Sequence, residues 1–126
     1  MSYKALPANV LQAFRSNYPK ARITGATKET VKGETSYEIS CNDSTTKRDI
    51  HYSADGKLIE TEEEITVDKL PNAISNAISK QFTKGKIMKI ELSVKDFNTA
   101  YEVLIRDKKK KFEVVFSPDG SVVSTK

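Results

Sequence analysis

His51 is the only histidine among the 126 residues, so it is the first place to look for acid–base or metal chemistry. A general base or a zinc ligand needs partners at ligand spacing, and none stands near it in the sequence. Beside Asp49 in an alternating stretch, His51 reads as a surface strand residue. Glu38 and Glu102 offer a second possibility, because two carboxylates facing one bond can act as acid and base. They fall in repeated sequence contexts and would occupy equivalent points of two half-sheets, too far apart for shared chemistry. Cross-strand pairing with lysines such as Lys47 and Lys111 is the simpler role.

Glu60, Glu62, Glu63 and Glu64 could give oxygens to Ca²⁺, but the Asp/Asn-rich loop with a central glycine is missing. They read as a solvated strand edge that resists edge-to-edge association. Lys108 to Lys111 could meet phosphates or acidic lipid head groups, and they also suit a solvated hairpin turn. Cys41 is the only cysteine and cannot form an internal disulfide. Alternating with Tyr37 and Ile39, it reads as a small buried hydrophobe and not a reactive thiol. The sequence has no Gly-rich phosphate loop, CxxC, HExxH or GxSxG. We therefore expect no catalytic residue, no metal ligand and no cofactor.

A formal charge of +4, without a basic face carrying aromatic readers, gives no nucleic-acid signature. No run approaches the ~18 apolar residues a membrane span needs, so membrane insertion is not expected. Met1-Ser2-Tyr3-Lys4 does not open a charged segment followed by an apolar one, and no secretion signal is expected in the chain as it stands.

The elements that carry these residues are written twice. Tyr37-Glu38-Ile39 returns as Tyr101-Glu102-Val103, 64 residues further on. The same offset maps Leu6-Pro7 onto Leu70-Pro71 and Ser53-Ala54-Asp55-Gly56 onto Ser117-Pro118-Asp119-Gly120. This is a tandem duplication of a unit of about 60 residues. We place the units at residues 1–65 and 66–126. Thr66 to Lys69, the candidate linker, is too short to separate independent domains, so one continuous domain is expected.

In each unit a proline opens a helix, where its missing N–H costs nothing. Leu6, Val10, Ala13 and Phe14 form an apolar stripe at helical spacing, and Leu70, Ile74, Ala77 and Ile78 repeat it. Pro19 ends the first helix after Tyr18, and Lys84-Gly85 follows Phe82 in the second. Four strands then follow. The first is weakly written in unit one and clearer in unit two, where Met88, Ile90, Leu92 and Val94 alternate and a bulge near Ile87 would absorb the broken parity. Tyr37, Ile39 and Cys41, then Ile50 and Tyr52, face inward. Tyr101, Val103 and Ile105, then Phe112, Val114 and Phe116, do so in unit two. Asp55-Gly56 and Asp119-Gly120 close the last hairpins. Short turns force antiparallel neighbours, and joining the two meanders would cover two open edges. The expectation is an α+β fold: two tandem helix-plus-four-strand units forming one roughly eight-stranded antiparallel sheet, with two helices packed on one face.

This ordered set of motifs resembles the PepSY-like domains, related in fold to the tandem-repeat beta-lactamase-inhibitor proteins. The resemblance runs from Leu6 to Val123. It rests on Leu6-Pro7, Tyr37-Glu38-Ile39 and Asp55-Gly56, and on Leu70-Pro71, Tyr101-Glu102-Val103 and Asp119-Gly120. It implies a curved antiparallel sheet carrying two helices, a secreted or periplasmic bacterial protein, no catalytic residues, and binding as the activity. The inhibitors of that fold grip an enzyme with the exposed sheet face and its loops. They commonly carry disulfides, which a chain with one cysteine cannot form.

The outer face of unit two departs from that of unit one. Leu104 stands where unit one has Ser40, and Val115 where it has His51. On adjacent strands they would form a small apolar patch flanked by Glu102, Arg106 and Glu113, and apolar patches rimmed by charge mark contact sites. The expected function is a non-enzymatic binding module that offers this face to a protein or peptide, one version being an inhibitor of a hydrolase. A carrier or sensor of a small ligand held between helices and sheet is the alternative, and an enzyme the third. A monomer is expected, with a swapped dimer as the other way to join the half-sheets.

Overall fold

A computed structural model describes residues 1–125. The chain forms two compact units, Met1–Glu63 and Glu64–Lys126. In the first, helix α1 (Ala8–Asn17) precedes strands β1 (Arg22–Val31), β2 (Glu34–Asp43), β3 (Thr46–Ser53) and β4 (Leu58–Ile65). In the second, helix α2 (Asn72–Gln81) precedes β5 (Lys86–Lys95), β6 (Asn98–Asp107), β7 (Lys110–Phe116) and β8 (Val122–Thr125). Within each unit the strands lie in chain order and pair antiparallel. The fold is α+β, with eight antiparallel strands and two α-helices among the described residues.

Pro7 and Pro71 sit at the N-caps of the two helices, each with an extended ψ that aims the chain into the first turn. Each helix is preceded by a short 3-10 turn, Tyr3–Ala5 and Val67–Lys69. The second of these turns lies within the candidate linker, Thr66 to Lys69. Both helices are amphipathic and only ten residues long, so packing and not propensity holds them. Val10 and Phe14 are fully buried against Ile39, Cys41, Ile50 and Tyr52. Ile74 and Ile78 pack in the same way with Val103, Ile105, Val114 and Phe116.

The strand register carries a repeated irregularity. β1 slips between Ile23 and Gly25, and β5 slips between Ile87 and Lys89. The extra residues, Thr24 and Met88, are related by the repeat offset. A bulge lets one residue leave the alternation, and in β5 that residue is Met88, 42% exposed. The expectation that Met88 faces inward is therefore corrected. Ile87 opposes Ile105 and Ile90 opposes Val103, so Ile87 takes the inward place.

The first hairpin turn differs between the units. Lys32 and Gly33 both have positive φ, 52° and 81°, and so do Asp96 and Phe97, 50° and 65°. Two successive left-handed residues make the turn whose twist matches the flanking strands, and glycine is favoured in it. Phe97 fills glycine's place with a Cβ in that conformation and is fully exposed. Phe97→Gly should stabilise the protein by about 1 kcal/mol, the relieved left-handed strain less glycine's larger unfolded-state entropy. Urea unfolding checks this, and an unchanged or lowered midpoint would contradict it.

Candidate functional site

Because side chains alternate along a strand, the inward set fixes the outward one. β6 sends Val103 and Ile105 inward, so it presents Glu102, Leu104 and Arg106 outward. β7 sends Val114 and Phe116 inward, so it presents Glu113 and Val115. In register, Leu104 lies opposite Glu113 and Glu102 opposite Val115. Leu104 and Val115 are therefore diagonal neighbours within reach of one ligand side chain, each facing a carboxylate across the strand pair. All four are half-buried.

β5 completes the row on the other side: Lys89 opposes Leu104, and Glu91 opposes Glu102. Lys89 Nζ pairs with Glu91 Oε1 at 3.6 Å. Lys89, Glu91, Glu102, Leu104 and Glu113 line a shallow depression. Of the five residues expected on this face, four come together. Arg106 lies one row further on, exposed and opposite both Lys86 and Lys111. Sequence reasoning missed Lys89 and Glu91: alternation with Ile90 and Leu92 turns them outward, but only the pairing of β5 with β6 sets them beside Leu104 and Glu102.

The equivalent face of unit one is polar and internally hydrogen-bonded. Ser40 Oγ donates to Asp49 Oδ1 at 2.6 Å, and His51 Nε2 lies 2.7 Å from Ser36 Oγ. His51, expected as a surface strand residue, lies on a strand but is half-buried, within hydrogen-bond distance of a serine. The repeat offset turns Ser40 and Asp49 into Leu104 and Glu113, and Ser36 and His51 into Ala100 and Val115.

The register also corrects the expected partners of the paired glutamates. Glu38 opposes His51 and Glu102 opposes Val115, whereas Lys47 opposes Asn42 and Lys111 opposes Arg106. Burial first, and the Asp49 carboxylate next, raise the pKa of Glu38, with His51 acting in the other direction. Folding therefore favours protonated Glu38. That contribution is present at acid pH and is lost as pH rises through the folded-state pKa. The acidic run on β4 needs correction too. Glu60, Glu62 and Glu63 are half-buried opposite His51, Asp49 and Arg48, and only Glu64 is exposed. Arg48 bridges to Asp43 at 3.0 Å and to Glu63 at 3.6 Å, so part of the run is paired and not freely solvated.

Cys41 is buried as a free thiol, 2% exposed. Burial pushes its pKa up, and the nearby Arg48 only partly opposes this. We expect a disulfide reagent such as DTNB to modify Cys41 roughly a hundredfold or more slower in the native protein than in denaturant. Equal rates would contradict its place in the core.

Two tandem units, each a helix followed by a four-stranded meander, define a protein of the beta-lactamase-inhibitor-like class of sheet-and-helix folds. The chain belongs to the PepSY-like family: the family described as "Putative beta-lactamase-inhibitor-like, PepSY-like" matches residues 1–60 and 35–124. No curated protein matches it. Among solved structures it is similar to one described as a putative periplasmic protein from Bacteroides eggerthii, at 18% identity and TM-score 0.80 over 95% of this chain and 87% of that one. A DUF2874 family protein from Bacteroides uniformis aligns at 17% identity and TM-score 0.79, over 95% and 88%. A BLIP-like protein from Bacteroides fragilis aligns at 19% identity and TM-score 0.75, over 99% and 88%. These likenesses share the fold. No described helix is long and apolar enough to cross a membrane.

Proposed function

We propose that this protein is a non-enzymatic, periplasmic or secreted binding module that offers the outer face of β5–β7 to a protein or peptide. One observation carries the reading. The duplication supplies an internal reference, and where unit one closes its outer face with the Ser40–Asp49 and Ser36–His51 hydrogen bonds, unit two places Leu104 and Val115. An apolar pair framed by Glu102, Glu113, Glu91 and Lys89 gives a partner a dry centre and a charged rim. The periplasmic description of the Bacteroides eggerthii structure supports the location, and the BLIP-like description of the Bacteroides fragilis structure supports an inhibitory version acting on a hydrolase. The small-ligand alternative needs space between helix and sheet, and Phe14, Tyr52, Ile74 and Phe116 fill that space in their units.

Affinity capture from the envelope fraction of the source cell tests the reading, run beside a Leu104→Lys, Val115→Lys variant. The captured partner's affinity should fall at least about tenfold in the variant, as truncating or charging a central apolar contact costs more than about 1 kcal/mol. A partner bound equally by both proteins would move the interface elsewhere.

A further inference from the structure

The excess charge of the chain is confined to one place. Unit one has nine Lys and Arg against nine Asp and Glu, while residues 64–126 have twelve against eight. Within unit two the cations are polarised. Lys108 and Lys109 form the β6–β7 turn, and Lys110 and Lys111 open β7. Arg106 and Lys86 share the next row, in register with Lys111.

Helix α2 adds to the same end. Lys80 lies in its last turn, and Lys84 follows it. The Phe82 and Phe112 rings, 5.9 Å apart between centroids, hold that helix end against the start of β7. All eight cations are exposed, and Asp107 is the one carboxylate among them. Among the described residues, no carboxylate lies within ion-pair distance of any of them. The rest of unit two carries seven carboxylates and four lysines, so its charge is reversed away from this end.

The fold does not need these charges. The matching turn of unit one, Ser44 and Thr45, has the same left-handed first residue, φ 61° against 58° at Lys108, and no cation. Clustering like charges opposes folding, so the lysines call for a partner outside the fold. We propose that this end of unit two docks on the surface of an anionic phospholipid bilayer.

Three features favour a bilayer over a nucleic acid strand. Seven of the eight cations are lysines, which act as point charges and lack the planar fork of arginine that reads phosphates one by one. The tip is a projecting turn whose open hollow is lined by only five neighbouring residues, Asp107, Lys108, Lys109, Lys110 and Phe112, too short a run to track a nucleic-acid backbone. Phe112 at this hollow is half-buried and packs its ring on Phe82, whereas single-strand binders stack successive bases on several rings. The turn and the first two rows span about 7 Å, close to one Debye length at physiological salt, so these cations feel a charged surface together. Docked in this way, β6 stands away from the membrane, leaving the Leu104 face open and the Phe97 turn about 30 Å above the lipid. The surface is separate from the one proposed for the protein partner, and the two can be tested independently.

The test is cosedimentation of the full chain with vesicles of phosphatidylcholine, with and without phosphatidylglycerol, at low and at physiological salt. Binding should require phosphatidylglycerol and weaken as salt is raised. Lys109→Gln, Lys110→Gln should weaken it about 30-fold, at about fivefold per lysine. A control pair from unit one, Lys28→Gln and Lys57→Gln, should leave it unchanged, and circular dichroism should show both variants folded. Four results would each overturn the proposal: no binding to phosphatidylglycerol vesicles at low salt, equal binding to phosphatidylcholine alone, equal loss in both variants, or tighter binding to single-stranded DNA than to the anionic vesicles at the same salt.

Discussion

Phe14→Ala is expected to remove about 3–5 kcal/mol from the stability of the first unit, the usual cost of emptying a buried aromatic site. Phe14 has no exposed surface and is the larger of the two fully buried side chains of α1. Its ring packs on Tyr18, 5.6 Å between centroids, and the Arg15 guanidinium lies 5.4 Å from the same ring. The cavity cannot easily collapse, because the opposite wall is Ile39, Ile50 and Tyr52 on hydrogen-bonded strands. A unit of this size has little core to spare, so the loss should bring it near its unfolding midpoint. Hydrogen exchange read residue by residue checks this through lost protection in β1 to β4. Protection unchanged from wild type would show that the helix does not hold that sheet.

Gly120→Ala should cost about 2–3 kcal/mol, and Gly56→Ala less. Both glycines occupy left-handed backbone, at φ +93° and +88°, where a Cβ costs about 1–2 kcal/mol by itself. The turns are built alike. Gly56 N–H donates to Ser53 O and Gly120 N–H to Ser117 O, each at 3.0 Å. Ser117 donates to Asp119, and Ser121 N–H donates to Asp119 Oδ1 at 2.9 Å, which holds the Asp119 carboxyl down to about 2. The difference lies in what each turn packs against. A Cβ at Gly120 would come 2.7 Å from the Ala73 carbonyl oxygen in the first turn of α2, whereas at Gly56 the Asn9 carbonyl oxygen is 3.1 Å away. A helix carbonyl cannot swing aside as a flexible side chain can, so Gly120→Ala must move the helix or the turn. Urea unfolding of the two variants side by side checks the order. A smaller loss at Gly120 than at Gly56 would mean that the α2 contact is slack.

What was legible in the sequence was local. The proline-opened helices, the hairpins and the Asp-Gly turns follow from the geometry of a few neighbouring residues, and the repeat states each of them twice. The inward faces of β2, β3, β6 and β7 were legible for the same reason, since strict alternation leaves one solution per strand. The outward placement of Glu102, Leu104, Glu113 and Val115 came with it.

What the tertiary structure decided was register. One inserted residue, Met88, reverses which side chains turn inward at the start of β5, and only pairing with β6 locates the insertion; the same pairing brings Lys89 and Glu91 beside Leu104 and Glu102. Register also gave Glu38 and Glu102 partners other than Lys47 and Lys111, and it half-buried Glu60, Glu62 and Glu63 against β3. The gathering of Lys80, Lys84, Lys86 and Arg106 around the Lys108 turn needed both register and the packing of Phe82 on Phe112. Contacts between residues far apart in sequence leave no mark on local periodicity, and they decide which exposed charges share a surface.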